Sequence, residues 1–219
     1  MWKWLNRFKM LDNRVLVTGE KTLVRQFTRE DVDAWLQWPS QLDPLYTSSY
    51  PRPMNRYERD AWYYERLNRN DYMMFAVDDK RGQLIGLLTL RNIDRSHAHA
   101  VLGITLRPEV LSGGMGTDAL WSFLGYYFDV LKFDAMFLDV AAYNRRAQRV
   151  YEKCGFVYTS EHWGHFDDYS VFANNHYHGI RQYFRRHGAW IETLFYDMIL
   201  RRQDFYKRRQ AGRGPIIRK

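Results

Sequence analysis

Ser112-Gly113-Gly114-Met115-Gly116-Thr117-Asp118-Ala119 stands between two segments of different period, and that junction decides the fold. Upstream, residues 99–106 read as a strand. Downstream, Leu120, Phe123, Leu124, Tyr127, Phe128 and Leu131 follow the i, i+3, i+4, i+7 spacing of an apolar helix face. The glycines therefore occupy a strand-to-helix turn. A helix start leaves backbone N–H groups without internal partners and carries partial positive charge, so it favours an anion. Residues without a Cβ let phosphate oxygens approach the main chain and allow backbone angles closed to other residues. A diphosphate suits this loop; on these residues alone, so does a flexible surface turn.

A second stretch begins about thirty residues later. Asn144 is a good N-cap, Gly155 sits where a left-handed residue after a helix is wanted, and the residues between favour helix. Ala147, Val150, Tyr151 and Cys154 share one face, which presents a small residue and a phenol to its neighbour. By itself this is equally a core helix with a locally packed tyrosine.

Together, Gly114-x-Gly116-Thr117-x-Ala119 and Asn144-x-x-Ala147-x-x-x-Tyr151-x-x-x-Gly155-Phe156 resemble the two main motifs of the GNAT superfamily of acetyl-coenzyme A-dependent N-acetyltransferases. Residues 22–31, 100–109 and 188–200 are similar to the opening strand and helix, the fourth strand and the last strand of its ribosomal-protein N-terminal (RimJ/RimL-type) branch. The resemblance implies an α/β GNAT fold: a mixed, mostly antiparallel twisted sheet, splayed between its fourth and fifth strands, with helices on both faces. It implies acetyl-CoA as co-substrate, its pantetheine arm pairing with the main chain at Ile104, Thr105 and Leu106. Its diphosphate would rest on the N–H groups of Leu111, Ser112, Gly113, Gly114, Met115, Gly116 and Thr117. Asn144 would orient the arm, and Tyr151 would protonate the departing thiolate.

Two positions depart from the family. Leu111 stands where members usually carry Arg or Gln, which removes one side chain from the diphosphate site. Val101 stands where many members of the branch place a glutamate base. His99 lies two residues earlier, on the same strand face, and an imidazole there can act through a water.

The chain of 219 residues, 46% hydrophobic, suffices for one full core. No apolar run has the length of a membrane span, and residues 1–11 lack the form of a signal peptide, so a cytoplasmic enzyme is expected. The single Cys154 excludes a disulfide framework. The net charge of +8 is concentrated at the end: residues 201–219 hold eight Lys or Arg and one acid. The expected layout is an N-terminal extension at 1–21, the acetyltransferase domain at 22–200 and a basic tail at 201–219. The tail either favours an anionic assembly such as RNA or keeps itself solvated; residues 201–209 can continue as a short helix. Trp2, Trp4, Leu5, Phe8 and Leu11 in the extension suit a helix face that packs on the domain, a partner or a membrane surface.

Helices are predicted at 28–38 and 55–68 around a loop at 39–54, and strands at 73–78, 84–92 and 135–141. Residues 160–179 read as an insertion carrying His162, His165, His176 and His178. No metal is expected; the aromatic segment shapes the acceptor pocket or a homodimer contact. The acceptor is a primary amine, first a protein or peptide α-amino group, with a small molecule such as an amino sugar or antibiotic as the alternative. A non-catalytic acyl-CoA or RNA-associated module is a further alternative. Polyamines suit the loop at 39–54 less well, since it offers Asp43 against Arg52.

Overall fold

The computed structural model describes residues 14–39, 43, 45–46 and 50–212. The extension through residue 13 and residues 213–219 lie outside this range. In chain order the elements are β1 (Val15–Thr18), β2 (Thr22–Gln26), α1 (Arg29–Leu36), α2 (Arg56–Leu67), β3 (Met73–Asp79), β4 (Leu84–Asp94), β5 (His99–Leu106), α3 (Met115–Asp129), β6 (Ala135–Ala141), α4 (Arg145–Cys154), β7 (Val157–Phe166), α5 (Ser170–Ala173), β8 (Phe184–His187), β9 (Trp190–Arg201) and α6 (Arg202–Gln210). The strands form one sheet in the order β1-β2-β3-β4-β5-β6-β9-β7, with β8 pairing β9. Every neighbouring pair is antiparallel except β5 and β6. This is the expected GNAT architecture.

Helices cover both faces because each presents one apolar stripe to the sheet. Leu120, Phe123, Leu124 and Tyr127 of α3 pack with Tyr151 and Cys154 of α4 in the larger core. On the other face, α1 and α2 cover Phe27, Met74, Ala76 and Leu87. α1 is fixed there by a buried ion triad. Arg25 on β2 bonds Asp31 at 2.6 and 2.7 Å and Asp78 on β3 at 2.6 and 3.1 Å. Burial alone would lower the Arg25 pKa, but the hydrogen bonds to Asp31 and Asp78 hold it above the usual guanidinium range.

Three features differ from the sequence reading. β1 precedes the expected first strand; at four residues it is too short for periodicity to separate from a loop. The segment expected as an insertion begins as regular strand: β7 pairs β9 from Val157 to Phe166, and the irregular part follows, as α5 and a 3₁₀ segment at Asn175–Tyr183. This part has its own small core of Phe166, Val171, Tyr177, Phe184 and Ile191, against which Leu45 of the α1–α2 loop packs. Tyr177 Oη also donates to Asp43 Oδ1 at 3.1 Å, and Tyr143 Oη to the Leu45 carbonyl at 2.8 Å.

The third difference concerns the basic stretch. The short helix expected there is present as α6, and the difference is that it docks on α3. Phe205 is buried with its ring 5.0 Å from that of Trp121 and 5.2 Å from that of Phe128. Asp129 accepts from Tyr206 Oη at 2.7 Å and Arg209 at 2.8 Å. Arg208 donates to the Lys153 carbonyl at 3.2 Å and lies against Gly155, where a Cβ would come within 2.8 Å of its Nε.

The start of α3 is fixed through Asp118. Its carboxylate accepts from the amides of Glu20 (2.9 Å), Lys21 (2.9 Å) and Thr22 (2.8 Å) and from Thr22 Oγ1 (2.6 Å), which ties the β1–β2 turn to the helix. Gly19 follows from this closeness, since a Cβ there would lie 2.3 Å from Asp118 Oδ2. Asp118→Ala strips four donors of their acceptor. It is expected to cost about 3 kcal/mol, because each hydrogen bond to a charged group contributes about 1.5–3 kcal/mol and the losses overlap. Urea denaturation measures this; a loss below about 1 kcal/mol would show that the turn is held by other contacts.

Candidate active site

β5 and β6 pair in parallel over only three registers, His99 with Ala135, Ala100 with Met136 and Val101 with Phe137. Beyond Val101 they separate, while β5 keeps its pairing to β4 as far as Leu106. Ile104 and Leu106 therefore turn main-chain groups toward the opening, where the Leu106 carbonyl accepts from Tyr50 Oη at 2.9 Å, while Thr105 between them pairs with β4. That opening leads to the start of α3, where the chain passes through left-handed conformations at Ser112 (φ 72°) and Gly114 (φ 80°). Gly116 is required by packing, since a Cβ would come within 2.7 Å of Leu106 Cδ1.

The amides of Ser112, Gly113, Gly114, Met115, Gly116 and Thr117 have no partner among the described residues. Leu111 differs: its N–H donates to the Pro108 carbonyl at 3.3 Å, so six of the seven expected donors remain. A fan of unpartnered amides at the start of a helix fits a diphosphate. Lys21, in the β1–β2 turn held by Asp118, donates from Nζ to the Gly113 carbonyl at 3.0 Å.

Asn144 caps α4, its Oδ1 accepting from Ala147 N at 3.1 Å, so its side-chain carbonyl is already used. One turn on, the buried Gln148 donates to the carbonyls of Ala141 and Ala142 at 3.1 and 2.9 Å, fixing α4 on the end of β6. Tyr151 follows on the same face, 7% exposed, its ring edge-on to Phe156. Burial, reinforced by the negative charge of Asp139 and partly offset by Arg91, holds the phenol pKa well above its usual value, so the hydroxyl keeps its proton at neutral pH. Burial also pushes the Cys154 thiol up to about 12, which leaves it unreactive.

Asp139 and Arg91 escaped the sequence reading. Register places Arg91 opposite Val101 and Phe137 beside it, so Arg91, Val101, Phe137 and Asp139 share one face of the sheet. The Arg91 guanidinium bonds Asp139 Oδ1 across the point where β5 and β6 part. His99 lies behind that point. Its ring is 5.2 Å from that of Phe137, and at about 3.3 Å per residue it sits roughly 13 Å along the strand from Gly103.

On the Arg91 face, a cleft of about 380 Å³ opens between α1, α2 and the sheet, with Thr89, Gly103 and Thr105 in its floor. Trp35, Tyr50, Trp62 and Tyr72 supply aromatic walls, and Arg52 and Arg66 the charge. Among the described residues, no group of three or more His, Cys, Asp and Glu comes together to hold a metal. His165 instead pairs with Asp167 at 2.7 Å. No helix among the described residues is long and apolar enough to cross a membrane.

Residues 21–157 match the family model of the acetyltransferase (GNAT) domain. The chain belongs to the GNAT acetyltransferases. It is therefore an N-acetyltransferase with acetyl-CoA as its acyl donor, and the free amides and the parted strands fit that donor. The chain is 30% identical over 125 residues to a spermidine N(1)-acetyltransferase of Vibrio cholerae, a match covering 57% of this chain and 69% of that one. A spermidine N(1)-acetyltransferase of Escherichia coli K12 is 32% identical over 80 residues, 36% of this chain and 43% of the relative. A crystal structure of spermidine N-acetyltransferase from Vibrio cholerae in complex with CoA and spermine superposes with a TM-score of 0.65 at 21% identity, covering 84% and 98% of the two chains. These relatives do not support the expected RimJ/RimL-type branch: short strand resemblances do not separate branches that share one sheet.

Lys21→Ala is expected to weaken CoA binding about fivefold without changing the unfolding midpoint, because a half-exposed charge contributes about 1 kcal/mol. Calorimetry with CoA checks this; unchanged affinity would remove Lys21 from the diphosphate site.

Proposed function

We propose that the chain transfers an acetyl group from acetyl-CoA directly to the primary amine of a small molecule, both substrates being bound together. What supports this reading is the set of six amides without a partner among the described residues, the parting of β5 from β6, and a buried Tyr151 that feels the charges of Asp139 and Arg91 at the point of separation. The small-molecule acceptor replaces the protein α-amino group expected first. The relatives are named for a small amine, and the α1–α2 loop that flanks the cleft is clasped through Leu45 and Asp43 by the segment after β7. That clasp suits a compact acceptor better than an extended chain. An acetyl-CoA-consuming reaction fits the expected cytoplasmic setting.

Acetyl-CoA supplies the activated acyl group. Asp139, anchored through Oδ1 by Arg91, turns its remaining oxygen to the incoming amine and orients it. As the N–C bond forms and the C–S bond breaks, Tyr151 gives its proton to the sulfur, and the amine's proton leaves through solvent and restores the phenol. A phenol with a raised pKa suits this task because it is fully protonated when the thiolate departs. His99 lies behind the point of separation, so in this mechanism Asp139 orients the amine and solvent takes the proton that His99 was expected to take through a water.

Tyr151→Phe is expected to lower kcat by about 10²–10⁴-fold, the usual contribution of general acid catalysis, with CoA affinity retained. Thiol release from acetyl-CoA across a panel of amines measures it, and undiminished kcat would exclude Tyr151 as the acid. In the same assay, Asp139→Asn should reduce kcat/KM at least tenfold, whereas His99→Ala should leave the pH–rate profile unchanged. The opposite pattern would return the role to His99.

A further inference from the structure

We infer that the acceptor carries an oxyanion, a carboxylate or phosphate, on a flat apolar body, and is not a polycation. This rests on the acetyltransferase reading above and names the substrate class of the same site.

The cleft beside β5 is a set of donors and aromatic faces. Among the described residues its lining includes Arg52 and Arg66 and no carboxylate. Arg52 is exposed and has no ion-pair partner among the described residues. Arg66 lies over the Trp62 ring at 4.2 Å, and the carboxylate nearest to it, Glu65, is 3.8 Å away and outside the lining. Trp35, whose ring is 5.1 Å from that of Trp62, has a buried Nε1–H with no acceptor among the described residues. A buried donor without a partner is costly, and a ligand oxygen would satisfy it. Two arginines and an indole N–H beside stacked rings recognise an oxyanion joined to a planar apolar group.

The carboxylates around the cleft are already engaged. Asp139 pairs with Arg91 and has one oxygen left, enough for the single amine to be acetylated. Asp197, on the adjoining strand, accepts from Ser160 Oγ at 2.8 Å and lies 3.0 Å from His162 Nδ1. Asp43 accepts from Tyr177 Oη and from Leu45 N at 3.1 Å. On the outer side of α1 and α2, Asp33 and Asp60 are held by Arg29 and Arg59. A second and third ammonium of a polyamine would meet Arg52 and Arg66 instead of a free acid.

The test compares matched amines with and without the oxyanion, using acetyl-CoA and the intact chain. Phenylalanine against phenethylamine isolates a carboxylate; tyramine O-phosphate against tyramine isolates a phosphate; spermidine serves as the polycation. At least one oxyanion-bearing amine is expected to exceed its partner tenfold or more in kcat/KM. Arg52→Gln and Arg66→Gln should each pull that ratio toward one, chiefly through the KM of the anionic member. Calorimetric affinities of the same pairs for the CoA-saturated chain give a readout independent of turnover. Turnover without preference in either pair, or spermidine ahead of all four, overturns the inference and leaves the acetyltransferase reading intact. Preferential binding of the anionic member without thiol release from any amine supports the inference and sinks that reading instead.

Discussion

The site depends on one carboxylate that touches no substrate. Asp118, in the first turn of α3, gathers three amides and a hydroxyl from the turn between β1 and β2. A helix start that must expose its amides cannot also be secured through them, so the restraint comes from a side chain facing the other way. The arrangement places Lys21 beside the same loop, where its ammonium bonds the Gly113 carbonyl. Had the hairpin been fixed elsewhere, the loop after β5 would carry its amides on an unsupported helix end.

The second constraint is the short pairing of β5 with β6. Three registers hold the strands together, after which each finds its remaining bonds on its other side, β5 with β4 and β6 with β9. The cost of an unpaired edge is thereby confined to the segment a substrate is expected to cover. The ion pair of Arg91 with Asp139 spans the point of separation on one face, and α4, fixed on β6 by Gln148, brings Tyr151 in from the other. The two groups of the proposed mechanism thus come from opposite faces of one sheet.

Much of this was legible in the sequence because it is local. The glycine loop, the cap at Asn144, the left-handed Gly155 and the apolar period of α3 each need only a dozen neighbouring residues. What escaped is non-local. Asp118 and Thr22 are 96 positions apart, Arg91 and Asp139 are 48, and Tyr177 and Asp43 are 134. No periodicity connects such pairs, and a lone aspartate in a helix or strand reads as a solvated charge until the sheet order is known. The same limit explains the histidine: His99 and Gly103 do share a strand face, but only the register with β6 reveals where the strands part and how far behind that point the imidazole lies. The branch expectation went unsupported for another reason, since strands with one burial pattern carry similar residues whatever amine is acetylated.

The docking of α6 couples two properties that composition would treat as separate. Arg208 braces the carboxyl end of the helix whose middle carries Tyr151, resting against Gly155 and bonding Lys153, while Phe205 is set between aromatic rings of α3. Removing the cationic terminus to strip charge would therefore also loosen the mounting of the phenol, and diminished turnover in such a truncation would report mechanical support as much as attraction for polyanions. Neutralising the outward-facing Lys207 alone leaves the brace in place and separates the two effects.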